Sequence, residues 1–182
     1  MEKKAESSLY FAYGSNINLE QMAYRCPAAH VVGPVALENY ELLFRGNANG
    51  NGVATIAPRE GSMVHGLLWR ITPACERALD IYEGYPRLYE KQLVTVADRE
   101  GRSLTVMAYV MTDNERWQAP TMPSEFYYKG IQDGYRQNGL PVSELKKAWE
   151  HCAREVDQET GRANRMAGER AKPPKRRSGH NR

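Results

Sequence analysis

Two groups of residues have types and spacings that could do chemistry. The first is Glu83, in Leu79-Asp80-Ile81-Tyr82-Glu83-Gly84-Tyr85. The spacing of Ala78, Leu79 and Tyr82 predicts a helix that Gly84 ends, which places Glu83 in its last turn. There a carboxylate faces the negative end of the helix dipole, which disfavours its charged form. Tyr82, Tyr85 and Tyr89 stand close enough in sequence to desolvate it further. A carboxyl raised toward neutrality can take a proton and later return it. The second group is Tyr10-Phe11-Ala12-Tyr13-Gly14-Ser15-Asn16. It reads as a strand that breaks at a Gly-Ser-Asn turn, after which Asn18 caps a short helix carrying Leu19, Met22 and Ala23. A strand end, a turn and a helix start gather free backbone N–H groups, which suit a carboxylate or a developing oxyanion. Taken alone, each group also has a plain structural reading. Gly-Ser-Asn is common turn chemistry, and most glutamates are simply solvated.

Other chemistries find little support. Cys26, Cys75 and Cys152 are odd in number and far apart, with no Cys-x-x-Cys, so neither a disulfide framework nor a zinc knuckle is indicated. They read as small buried thiols in a reducing compartment. Cys26 follows Arg25, yet no histidine is near it in sequence, so a cysteine nucleophile is not indicated. His30, His65, His151 and His180 have no metal-ligand spacing, and no metal is expected.

The elements that must position these residues follow in order. Val31-Val32-Gly33-Pro34-Val35 reads as a strand broken by Gly-Pro, and Tyr40 to Arg45 as another. Gly46 to Gly52 has the composition of a flexible loop. Val53 to Pro58 and Met63 to Ile71 read as strands joined by a hairpin turn at Arg59-Glu60-Gly61-Ser62. Thr72-Pro73 opens the helix that holds Glu83. Tyr89 to Ala97 and Ser103 to Met111 form a hairpin across Asp98 to Arg102. Ser124 caps a helix reaching about Asn138, and Glu144 to Glu159 is a last amphipathic helix. Six or seven short strands with helices inserted suggest an α+β fold, a small mixed or antiparallel β-barrel with helices packed outside.

The length suits one domain, expected over residues 1–160, with residues 161–182 a basic and disordered tail. The formal charge of the chain is +3, but from Gly161 onward eight Lys and Arg face only Glu169, so the tail carries +7 and the rest −4. Such a tail could associate with the phosphates of nucleic acid, although a solvated charge run is the favoured reading. No apolar run is long enough to span a bilayer, and the charged N-terminus lacks a secretion signal's apolar core. A cytoplasmic protein without membrane association is therefore expected, its oligomeric state left open.

Together the two groups resemble one known family. Tyr10 to Asn16 closely resembles the opening motif of the γ-glutamylcyclotransferase-like family, which includes AIG2-like and BtrG-like proteins. Leu79-Asp80-x-x-Glu83-Gly84, followed by Tyr89 and a strand, is similar to its second motif. Tyr109-Val110-Met111-Thr112 resembles its late strand, and Tyr127 to Pro141 its following helix. The resemblance implies a β-barrel with a cavity at its mouth and a small-molecule γ-glutamyl substrate. The implied reaction is cyclisation that releases 5-oxoproline and a free amine without any cofactor. It also implies that Glu83 is the catalytic base and acid, that Tyr10, Phe11, Ala12, Tyr13, Gly14, Ser15 and Asn16 form the substrate loop, that Tyr89 offers its hydroxyl and that Val110 lines the pocket. Lys91 stands where many relatives carry arginine, a planar two-pronged donor. A non-catalytic binding module on the same fold is the alternative.

Overall fold

In the computed structural model, residues 6–46 and 51–170 are described. Two long strands set the architecture: β2, His30–Gly46, and β3, Gly52–Ile71, pair antiparallel along nearly their whole length. With β1 (Ser8–Ala12), β4 (Tyr89–Asp98) and β5 (Ser103–Met111) they close a barrel in the order β1-β3-β2-β4-β5. All neighbours are antiparallel except β1 and β5, whose parallel contact at Tyr10 and Met107 closes the ring. The expected mixed barrel is therefore present, built from five strands rather than six or seven.

The difference in count comes from two pairs of expected strands that each run on as one: residues 31–35 and 40–45 in β2, and residues 53–58 and 63–71 in β3. Arg59-Glu60-Gly61-Ser62 is not a hairpin. Pro58 pairs with Tyr40 and Met63 with Glu38, so both halves of β3 lie against the same partner strand. The extra residues are absorbed as an irregularity opposite Asn39, whose φ is 60° and whose Oδ1 accepts from the Gly61 N–H at 3.1 Å. Gly33-Pro34 bends β2 beside a register shift, as its composition suggested, and β2 continues through residues 36–39 to join the two strands expected on either side. The turn chemistry was real, but tertiary pairing on either side kept each strand continuous.

Helix ends follow the side chains that cap them. Thr72 accepts from the Cys75 N–H and opens α2, Pro73–Tyr82, and Gly84 ends it in the left-handed conformation at φ 64°. Asn18 caps α1, Leu19–Arg25, and Ser124 caps α3, Glu125–Gln137. The last helix, α4, runs Val142–Arg170 and is buried only at Leu145, Ala148 and Cys152. It passes through Gly161 without a break, because Ala163, Met166 and Ala167 favour helix and one exposed glycine costs about 1 kcal/mol. The Asn47–Gly50 part of the glycine–asparagine loop and the Lys172–Arg182 part of the basic segment lie outside the described residues.

The core runs through the barrel and under the helices. Phe11, Phe44, Leu67, Ile71, Leu79 and Tyr135 are among its fully buried side chains. The bidentate Arg45–Glu155 ion pair, at 2.9 and 3.2 Å, fastens α4 to β2.

Candidate active site

The Gly-Ser-Asn segment is held from three sides. After β1 the chain makes a 3-10 turn over Ser15–Ile17 before Asn18 starts α1. Trp69 Nε1, from β3, donates to the Asn16 carbonyl at 3.0 Å. From α3, Gly130 offers its carbonyl to Asn18 Nδ2 at 2.9 Å, and Asn138 Nδ2 donates to the Ile17 carbonyl at 2.8 Å. At Gly14 a side chain would be crowded. The glycine's φ is −110°, and an added Cβ would lie 3.2 Å from the Ala54 Cβ.

Across from this wall stands Glu83, which caps the C-terminus of α2. The two segments, remote in sequence, meet directly: Asn16 Nδ2 donates to Glu83 Oε1 at 3.1 Å and to the Tyr10 hydroxyl at 3.0 Å. Between them is a cavity of about 200 Å³ at one end of the barrel. Its wall includes Tyr10, Tyr13, Gly14, Ser15, Asn16, Glu83 and Tyr89, with Val53, Ala54, Tyr82, Leu88, Tyr109 and Tyr127. Glu83 is the one carboxylate among these residues. The residue keeps some exposure at the helix end, but its carboxyl is turned inward among tyrosine rings. Burial raises its pKa to about 7, with the Arg25 guanidinium pulling in the opposite direction.

The tyrosines stay protonated. Burial, reinforced by the negative charge of Glu83, pushes the hydroxyls of Tyr10, Tyr13 and Tyr89 well above their ordinary value. They serve as neutral hydrogen-bonding groups, and several brace the wall. Tyr13 donates to the Tyr109 carbonyl and Tyr89 to the Ala54 carbonyl, while the Ala54 N–H donates to Tyr127 Oη at 3.0 Å. A cysteine nucleophile has no place here, because Cys26 is buried outside the cavity and burial pushes its thiol up to about 12.

Of the residues anticipated from sequence, Tyr10, Tyr13, Gly14, Ser15, Asn16, Glu83 and Tyr89 come together around the cavity. Phe11, Ala12 and Val110 do not line it. They are buried in the core, and Phe11 packs into the space left by the missing side chain of Gly66. Tyr85 does not desolvate Glu83, since its ring lies beneath Lys91 Nζ at 4.5 Å. Lys91 itself turns to Glu76 at 2.8 Å and Asp80 at 2.9 Å, so it docks α2 on β4 and is not a wall residue. Sequence reasoning missed Arg25 and the place of Tyr127 and Tyr109 in the wall. Arg25 follows Gln21 by four residues, and that helical i,i+4 pair was its only legible signal.

The chain matches the model of the family described as γ-glutamyl cyclotransferase, AIG2-like, over residues 10–129. The bovine and human proteins named γ-glutamylcyclotransferase are each 37% identical to it over 150 residues, which is 78% of this chain and 77% of theirs. The chain belongs to this family. Among solved structures, one named γ-glutamyl cyclotransferase is 30% identical with a TM-score of 0.69, covering 97% of this chain and 94% of that one. A human protein described as uncharacterised is 36% identical with a TM-score of 0.68, covering 79% of this chain and 86% of that one. The matched segment holds both walls of the cavity, from Tyr10 through Glu83 and Tyr89 to Tyr127.

Proposed function

We propose that this chain is an enzyme that cyclises γ-glutamyl compounds, releasing 5-oxoproline and the amine formerly in amide linkage. The observation that carries the reading is the inward-facing Glu83 carboxyl, bonded to Asn16 across a cavity with no other acid on its wall. Family membership supplies the reaction class, and the geometry supplies a way to run it.

The substrate's α-amine must attack its own γ-carbonyl carbon. At neutral pH that amine is an ammonium and not nucleophilic. Glu83, with a pKa near 7, accepts one of its protons. Attack then closes a five-membered ring and places negative charge on the former carbonyl oxygen. Backbone N–H groups at Gly14 and Ser15 are the donors offered to that oxygen or to the α-carboxylate, and one such donor contributes about 3–4 kcal/mol. Glu83 passes its proton to the departing nitrogen as the carbon–nitrogen bond breaks, then takes the second proton from the ring nitrogen and hands it to the released amine, which leaves as an ammonium, so no proton is gained or lost overall. The cavity of about 200 Å³ suits a glutamyl group, with the leaving amine toward the mouth. Holding amine and carbonyl together removes much of the entropic barrier.

The test is a panel of γ-glutamyl amines and γ-glutamyl amino acids, with α-glutamyl isomers as controls, assayed for 5-oxoproline. Product is expected from γ-linked members only. Folded protein that releases no 5-oxoproline from any γ-linked member would leave the ligand-binding alternative in its place.

A further inference from the structure

Arg25 is not part of the cavity wall, yet it reaches the groups that form it. Its Nη1 donates to Asn16 Oδ1 at 2.8 Å and to Ser15 Oγ at 3.2 Å. Its Nη2 donates to Gln21 Oε1 at 3.0 Å, and the guanidinium lies flat over the Tyr82 ring at 3.7 Å. A carboxamide has nearly the same shape in either orientation, but not the same polarity. At Asn16 the surroundings fix that polarity: the oxygen meets the guanidinium, and the nitrogen meets Glu83 and the Tyr10 hydroxyl. Reversed, the amide would put its NH2 against a cation and its oxygen against a carboxylate. Asn16 is 2% exposed, so solvent cannot repair such a mismatch.

We propose that Arg25 is a positioning residue for the reaction, locking the Asn16 amide with its nitrogen toward Glu83 and so fixing where the carboxyl meets the substrate amine. The inference rests on the reading of Glu83 as base and acid. The flat fork matters, because the guanidinium serves three acceptors and one ring at once, which a single ammonium cannot do. Charge matters as well. The groups around Glu83 are Arg25 from α1, Tyr10 and Tyr13 from β1 and its turn, Tyr82 from its own helix, Tyr89 from β4 and Tyr127 from α3, while the Tyr109 hydroxyl of β5 turns away to Asp80. Arg25 is the one cation among them, so its pull alone opposes the upward push of burial.

The experiment measures kcat and KM against pH for the wild type, Arg25→Met, Arg25→Lys, Asn16→Ala and the Arg25→Met/Asn16→Ala pair, using a γ-glutamyl compound that the wild type turns over. The Glu83 carboxyl is titrated in the same proteins by carbon NMR. Arg25→Met is expected to lower kcat by roughly 100-fold with little change in KM. Its acidic limb and its carboxyl titration should both move to higher pH. Arg25→Lys should restore the titration but not kcat, and the double variant should be no slower than Asn16→Ala alone. An unmoved titration in Arg25→Met, or a loss that adds in full to that of Asn16→Ala, overturns the proposal. If Arg25→Met does not fold, Arg25→Lys decides: a lowered kcat with the wild-type titration supports the lock, and wild-type kcat overturns it. If the wild type turns over no γ-glutamyl compound, the catalytic reading fails separately. The NMR titration then still shows whether Arg25 sets the state of Glu83, a shift supporting its part and no shift refuting it.

Discussion

Glu83 makes the fold less stable in order to be useful. Its folded pKa is about 7 against an ordinary value of 4.5. Between those pH values the folded chain holds a proton that the unfolded chain releases, so stability falls as pH rises through that window and the full cost is present above it. A tenfold change in proton affinity is worth about 1.4 kcal/mol, which makes the cost roughly 3 kcal/mol. Glu83→Gln keeps an acceptor for Asn16 and removes the charge. Its melting temperature should exceed that of the wild type at about pH 8 and match it at about pH 4, as thermal unfolding at the two values would show. The acidic limb of wild-type turnover should fall near the same pKa. At this scale the sequence was informative where a residue's role is local. The helix end that places Glu83 and the turn that presents Asn16 are both visible in their neighbours. The raised pKa was also foreseeable, and burial, one of the two causes expected, is the largest. Arg25 showed only its local pairing with Gln21, because its contacts with Ser15 and Asn16 depend on α1 folding back onto the turn before it.

Among the elements, α3 does the most to hold the Gly-Ser-Asn wall, and it does so through missing side chains. A Cβ on Gly134 would come within 2.6 Å of Ile17 Cγ1 and 2.8 Å of the Asn18 nitrogen. Alanine would gain about 1 kcal/mol of helix propensity there, but overpacking against backbone costs about 1–3 kcal/mol and should win. Gly134→Ala is therefore expected to lower both the melting temperature and kcat, as calorimetry and a turnover assay would show. Gly161→Ala is the control. Its Cβ would meet only Arg165 Nη1 at an ordinary 3.6 Å, so neither quantity should fall. Caps explain why the helices were legible: Thr72, Ser124 and Asn18 announce themselves by type and position. The hairpin expected at Arg59–Ser62 was misread for the opposite reason. Four turn-forming residues look alike whether the chain reverses or merely bulges, and β2 decides which, from a distance no local pattern encodes.

For the molecule as a whole, the cavity lies at one end of the barrel and the far part of α4 contributes nothing to its wall. No residue between Asp157 and Arg170 is buried, whereas Leu145, Ala148 and Cys152 join the core. A chain ending at Gly161 should keep its melting temperature within about 2 °C, since surface changes away from the core fall within about 0.5 kcal/mol. It should also release 5-oxoproline at the wild-type rate. Among the described residues, no helix is long and apolar enough to cross a membrane. Barrel class and family were both legible because the motifs flank the cavity. Strand number and the full wall were not, because barrel closure and the docking of α3 bring Ala54, Tyr109 and Tyr127 to the cavity from segments with no shared sequence signal. The most direct test is 5-oxoproline release from a saturating γ-glutamyl substrate by the wild type and by folded Glu83→Gln. A single acid–base carboxyl predicts a fall of about 10²–10⁴-fold in kcat, and a variant within about tenfold of the wild type would contradict it.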